Sequence, residues 1–108
     1  MSLMLVYTTV STAQDARRLA DALVSEGLCA CAQSNAIHST YVWEDALTHD
    51  YEHRVLFKTH SSRHDALVAR LKALHPYTLP AIYSVRADHV DVRFQQWVES
   101  DSHRHTLG

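Results

Sequence analysis

Ile37-His38-Ser39-Thr40-Tyr41-Val42-Trp43 runs into Glu44-Asp45-Ala46, and Asp50-Tyr51-Glu52-His53-Arg54-Val55-Leu56-Phe57-Lys58-Thr59 follows shortly after. In the first run Ile37, Tyr41 and Trp43 alternate with more polar neighbours, which is the two-residue period of a strand. Neither Gly nor Pro interrupts residues 28–43, so the strand is read across that whole span. Glu44-Asp45-Ala46 turns the chain, and Asp50 to Thr59 returns as a second strand. At about 3.3 Å per residue a strand of 16 residues reaches roughly 50 Å, where the usual strand has 5 or 6 residues. Such a hairpin overshoots a domain of this size. Its outer part has either to bend through a bulge or to pair with another subunit. The second is expected, because apolar edges such as Tyr41, Val42 and Trp43 invite aggregation unless covered.

Upstream of the hairpin, Leu3 to Thr9 is apolar and partly β-branched and reads as a buried strand. Ser11 or Thr12 caps the helix that follows, in which Ala16, Leu19, Ala20 and Leu23 share one face and Gly27 ends the run. Downstream, Ser61 or Ser62 caps a second helix carrying Leu67, Leu71 and Leu74 on one face, and Pro76 stops it near His75. Pro80 opens a last strand, Ala81 to Val85. Asp91 starts a short helix bearing Phe94, Trp97 and Val98, and the polar end from Asp101 to Gly108 is expected to fray. The order βαββαβα predicts an α+β fold: the ferredoxin-like, split β-α-β antiparallel sheet with helices on one face and a short C-terminal helix.

The 108 residues fit one domain, 1–108. Ten Lys and Arg against twelve Asp and Glu give a net charge of −2 with His neutral, without the basic footprint of a nucleic-acid binder. No stretch approaches the roughly 20 apolar residues of a membrane span, and Met1 to Val6 lacks a basic leader, so neither membrane nor signal peptide is expected. Nine histidines raise a metal hypothesis, since imidazole is the commonest metal ligand. Cys29 and Cys31 stand one residue apart. On one strand they share a face about 7 Å apart, too far for a disulfide, and free thiols fit a reducing, cytoplasmic setting.

Several short pieces recur in a recognisable order. Ala30-Cys31 follows the first helix, Ser39-x-Tyr41-x-Trp43 lies in the hairpin, and Lys58-Thr59 precedes the second helix. His75-Pro76-Tyr77-x-x-Pro80 follows that helix, and Phe94-x-x-Trp97 lies in the tail. With these pieces at these gaps, the chain from about Tyr7 to Ser100 resembles the CutA divalent-cation tolerance proteins. The resemblance implies tight homotrimers of ferredoxin-like subunits, with hairpin strands pairing between protomers and ligand sites in inter-subunit clefts, as in the similar PII-type signal proteins. It implies copper or another divalent cation as ligand, with none required for folding. The chain departs from the family at Gln33, where Asn is usual, at Asp45, where Gly is common, and at Thr78 and Ala81, where Glu is usual. The two missing acids remove hard oxygen ligands beside His75.

Cys31 and His75 are the candidate metal ligands. A thiolate suits copper(I) or zinc, and a nearby imidazole would complete a two-residue clamp. The bland alternative for Cys31 is a small core residue under the first helix, and for His75 a C-terminal cap stabilised by the helix dipole. Lys58, Tyr77 and Thr78 are expected to line the cleft. Lys58 either binds an anion or snorkels at the sheet edge, and Glu52 pairs with it or with an Arg. Tyr41, Trp43 and Trp97 are expected at the trimer interface. His60 and His64 are four apart but separated by the helix start, His49 and His53 are about 13 Å apart on one strand face, and His103 and His105 lie in the tail. Gly27 and Gly108 are the only glycines, so there is no phosphate-cradling loop, and neither H-E-x-x-H nor G-x-S-x-G appears. Three readings follow: a non-enzymatic trimer binding divalent cations, a PII-like trimer binding an anionic metabolite through Lys58, and a trimeric scaffold for a partner protein.

Overall fold

Leu3–Val10 alternates its side chains inward and outward, and this strand, β1, is the one on which the sheet is built. The computed structural model describes the backbone of residues 2–107 and the side chains of residues 2–100. β1 pairs on one side with β3 (Ala46–His60) and on the other with β4 (Ile82–Arg86), and β2 (Cys31–Trp43) lies outside β3. All pairings are antiparallel, in the order β2-β3-β1-β4.

Helices α1 (Ala13–Ser25) and α2 (His64–Leu74) cover one face of the sheet. Val6, Val10, Val55 and Phe57 from the strands meet Ala16, Leu19, Leu23, Leu67 and Leu71 from the helices in one core. Full burial of each Leu or Phe contributes about 1.5–3 kcal/mol, which makes this layer the main source of stability. Thr12 caps α1, its hydroxyl accepting from the Asp15 N–H at 3.0 Å. At the other end Gly27 takes φ 73°, while its N–H donates to Val24 O and that of Leu28 to Leu23 O. These two bonds form a Schellman close, which a residue with Cβ would strain.

That close also explains why β2 starts at Cys31 and not at residue 28. Leu28–Ala30 carries the chain from the helix layer to the sheet, held by Thr59 Oγ1 on Leu28 O (2.7 Å) and by Ala30 N on Lys58 O (3.0 Å). The second helix starts later than the serines suggest. Ser61–Arg63 forms a 3₁₀ turn, capped by His60 Nδ1 accepting from the Ser62 N–H at 3.1 Å, and α2 begins at His64. Asp91 caps α3 (Val92–Leu107), its carboxylate accepting from the N–H groups of Arg93 and Phe94. α3 reaches the face opposite α1 and α2, where the Phe94 ring lies 5.7 Å from Lys58 Nζ. The polar end expected to fray from Asp101 continues instead as helix through Leu107, while Gly108 lies outside the described residues.

The hairpin keeps one register, from Cys31 opposite Lys58 to Trp43 opposite Ala46, with no bulge. Its turn is only Glu44-Asp45, both at positive φ (49° and 64°), so β3 starts four residues earlier than Asp50. β1 accompanies β3 no further than His53. Beyond that point Ile37–Trp43 and Ala46–Glu52 form a two-stranded arm, extending roughly 20 Å.

Candidate functional site

Side chains along β1 alternate, Thr8 facing the helices and Thr9 the open face of the sheet. The chain after α2 crosses between these faces. Pro76 forces His75 out of helical geometry, to φ −68° and ψ 134°, and its ring folds back on the end of β1. His75 Nε2 lies 2.9 Å from Thr8 Oγ1 and 3.1 Å from Thr9 O, and Nδ1 accepts from the Tyr77 N–H at 3.1 Å. Thr8 gives its own hydroxyl proton to Ala81 O at 2.8 Å. Nε2 must therefore carry the proton, and the ring is the neutral tautomer with both nitrogens engaged. Burial pushes its pKa below the ordinary 6.5, a shift aided by Arg18 and opposed by the Thr9 carbonyl and Asp15.

With His75 fixed, Tyr77 is carried to the open face. Its ring meets the imidazole edge-on at 5.0 Å, and its hydroxyl donates to Glu52 Oε2 at 3.0 Å. Glu52 projects from β3 on the same face as Tyr41 and Trp43 of β2, since residues opposite or two apart in an antiparallel pair share a face. The Tyr41 hydroxyl donates to Asp50, and that bond, ahead of the nearby carboxylate charges, pushes Tyr41 up to about 12. Tyr77 is also raised, first by burial. Both phenols thus stay protonated donors to carboxylates. Tyr41, Trp43, Glu52 and Tyr77, with Thr9, Thr78, Leu79 and Ala81, line a cavity of about 720 Å³ on the open face of the arm.

Tyr77 and Thr78 line this cavity of the single chain, and Lys58 does not join them. It stands opposite Cys31 on the other half of the open face, its ammonium against Phe94. Glu52 pairs with a tyrosine hydroxyl, and among the described residues not with Lys58 or an Arg. Tyr41 and Trp43, read as interface anchors, are cavity walls in the single chain, 39% and 56% exposed. Trp97 stacks on Phe94 at 5.8 Å and is partly exposed. Asp50 was not singled out by sequence. Its signal is positional, because it falls in step with Glu52 on the face of Tyr41.

Cys31 and His75 do not converge within one chain. Cys31 shares the open face with Lys58, whereas His75 is bonded to Thr8 on the helix face. Nor do the two thiols share a face. Cys29 precedes β2 and lies in the core with Phe57, where burial raises it to about 12, while Cys31 is half-buried on the open side. Among the described residues no three His, Cys, Asp or Glu side chains come together as a metal site. His49 is bonded to Thr40, His38 packs edge-on against Tyr51, and His60 is buried as the 3₁₀ cap with Glu99 at 3.5 Å. The side chains of His103 and His105 lie outside the described residues. His64 links Ser84 Oγ (2.6 Å) to Asp65 Oδ1 (2.9 Å). This is the order of a nucleophile relay, but Asp65 is fully exposed and the cavity described above lies elsewhere. No helix among the described residues is long and apolar enough to cross a membrane.

The profile of a family described as CutA1 divalent ion tolerance protein matches residues 4–101. The divalent-cation tolerance protein CutA of Thermus thermophilus is 34% identical over 98 residues, covering 90% of this chain and 95% of that one. Among solved structures, CutA from Synechococcus elongatus superposes with a TM-score of 0.91 at 37% identity, covering 94% of this chain and 90% of the other. A further structure, at 26% identity and TM-score 0.88, covering 93% of this chain and 98% of that one, is described as the periplasmic divalent cation tolerance protein CutA from Archaeoglobus fulgidus.

Proposed function

The chain belongs to the CutA family of divalent-cation tolerance proteins, and from that premise we propose that it is a homotrimer binding divalent cations, copper among them, in clefts between its subunits. The observation that carries this reading is the arm. A two-stranded ribbon is marginal in water on its own, yet this one keeps an unbroken register and is rich in exposed apolar residues: Val42 is 68% exposed, Leu47 69% and Tyr51 79%. Such a surface is explained by a neighbouring subunit lying on it. The strand order β2-β3-β1-β4 agrees with the ferredoxin-like plan expected for such subunits.

Cys31 is the ligand this chain offers, as a soft donor left on the open face. His75 must first break its bond from the Tyr77 N–H to offer Nδ1, so it ranks behind Cys31. One chain does not complete the coordination, and a neighbouring copy supplies the remaining donors. The anion-binding reading through Lys58 has less support, because that ammonium already lies against an aromatic ring. The free thiols favour the cytoplasm as the site of action.

Calorimetric titration of tag-free protein with copper and zinc at pH 7.5, with light scattering on the same samples, tests the proposal. A mass of three chains and a stoichiometric site lost in Cys31→Ser are expected, with His75→Ala retaining most of the affinity. Unchanged titrations in both variants would assign the binding to scattered surface histidines.

A further inference from the structure

We propose that the cavity on the open face of the arm is a binding site for a small organic ammonium ion. Three aromatic rings, those of Tyr41, Trp43 and Tyr77, line it together with Glu52. The faces of such rings are negative and attract cations, most strongly where water is partly excluded. Glu52 and the adjacent Asp50 have hydrogen bonds from Tyr77 and Tyr41, but among the described residues neither carboxylate has an ion pair. Among the described residues no Lys, Arg or His lines the cavity. It therefore combines negative charge, π surface and no resident cation.

A metal ion fits this lining poorly. Calcium takes six to eight oxygen ligands and magnesium six, whereas among the described residues Glu52 is the only carboxylate in the lining, and Thr78 and Ala81 add neutral groups. The rings and the apolar margin call for a charge that carries a hydrocarbon body. A substituted ammonium meets both demands, and the volume of about 720 Å³ lies within the range of small-molecule sites. This proposal is independent of the metal reading, because Cys31 stands on another part of the sheet.

Choline is the probe, and 3,3-dimethylbutan-1-ol, of nearly the same shape but uncharged, is its control. Both are titrated into the intact oligomer by calorimetry. Saturable choline binding is expected, with the neutral alcohol at least about tenfold weaker. Glu52→Gln keeps an acceptor for the Tyr77 hydroxyl and should weaken choline at least about tenfold while leaving the circular dichroism spectrum, the mass and the copper titration unchanged. Trp43→Leu should weaken choline more than the alcohol. The proposal is overturned if the alcohol binds as tightly as choline, if Glu52→Gln has no effect, or if choline shows no saturation by roughly 10 mM. Stoichiometric displacement of choline by magnesium or zinc would reassign the cavity to a metal.

Discussion

His75 uses both ring nitrogens to fasten the segment after α2 to the end of β1. This makes the fold sensitive to acid. The folded-state pKa lies below the ordinary 6.5, so as the pH falls past that value the unfolded chain takes up a proton before the folded one does. The contribution is complete above about pH 6.5 and is lost as pH falls toward the depressed folded value. Thermal melts from pH 7.5 to 5.0 should therefore show a falling midpoint, with a visibly smaller fall in His75→Gln; equal slopes would dismiss the role. His75→Ala at pH 7.5 should cost about 1–3 kcal/mol, because it strands the Tyr77 N–H. The cysteines differ in the same concrete way. Cys29 is buried and raised to about 12, and Cys31 is accessible on the open face. Ellman's reagent at pH 8 should label one thiol per native chain, and Cys31→Ser should abolish that labelling. Two rapid thiols would place Cys29 outside the core.

At the scale of elements, the turn of the hairpin is where local chemistry and fold disagree. A two-residue turn with both φ values positive suits Asn-Gly, and here it holds Glu44-Asp45. Placing side chains with Cβ in that region costs free energy that Gly would not incur. Asp45→Gly should stabilise the protein by about 0.5–1 kcal/mol, read as a rise of a few degrees in melting midpoint. A fall would show that the Asp45 side chain has a compensating partner. The same hairpin shows what could be read in advance. Alternation at Ile37, Tyr41 and Trp43 and in Asp50 to Thr59 sufficed to identify both strands. Ala46 to His49 has no such pattern and is strand only because the turn is so tight. The faces of Cys29 and Cys31 were misjudged for a related reason. The chain enters β2 at Cys31, so alternation starts there, and the Schellman close that sets this entry depends on tertiary docking of Leu28. Within the site, the rigid turn that carries Tyr77 was legible from Pro76 and Pro80. The bonds joining Tyr77 to Glu52 and Tyr41 to Asp50 cross 25 and 9 residues, distances at which no periodicity speaks.

Taken whole, the molecule is elongated. Its radius of gyration is 14.7 Å and its extents are 47 × 29 × 21 Å, whereas a compact chain of this length has a radius near 13 Å. The excess length is in the arm, because α1, α2 and the inner sheet hold one ordinary core. An arm with Val42, Leu47 and Tyr51 exposed on one face is unfavourable for an isolated chain, so its unbroken pairing implies that assembly and arm order are coupled. Val42→Asp combined with Leu47→Lys tests the coupling, because these opposite neighbours become polar without altering the strand register. The variant should shift from the mass of three chains to that of one, lose hydrogen-exchange protection in residues 37–52, and keep protection in β1 and the helices. Its melting midpoint should fall and become independent of protein concentration. A variant that still weighs three chains would locate the contacts elsewhere, with Trp97 the next position to substitute. A parent protein already of one chain, with its arm protected from exchange, would mean that the ribbon is stable by itself and that the subunit reading is wrong.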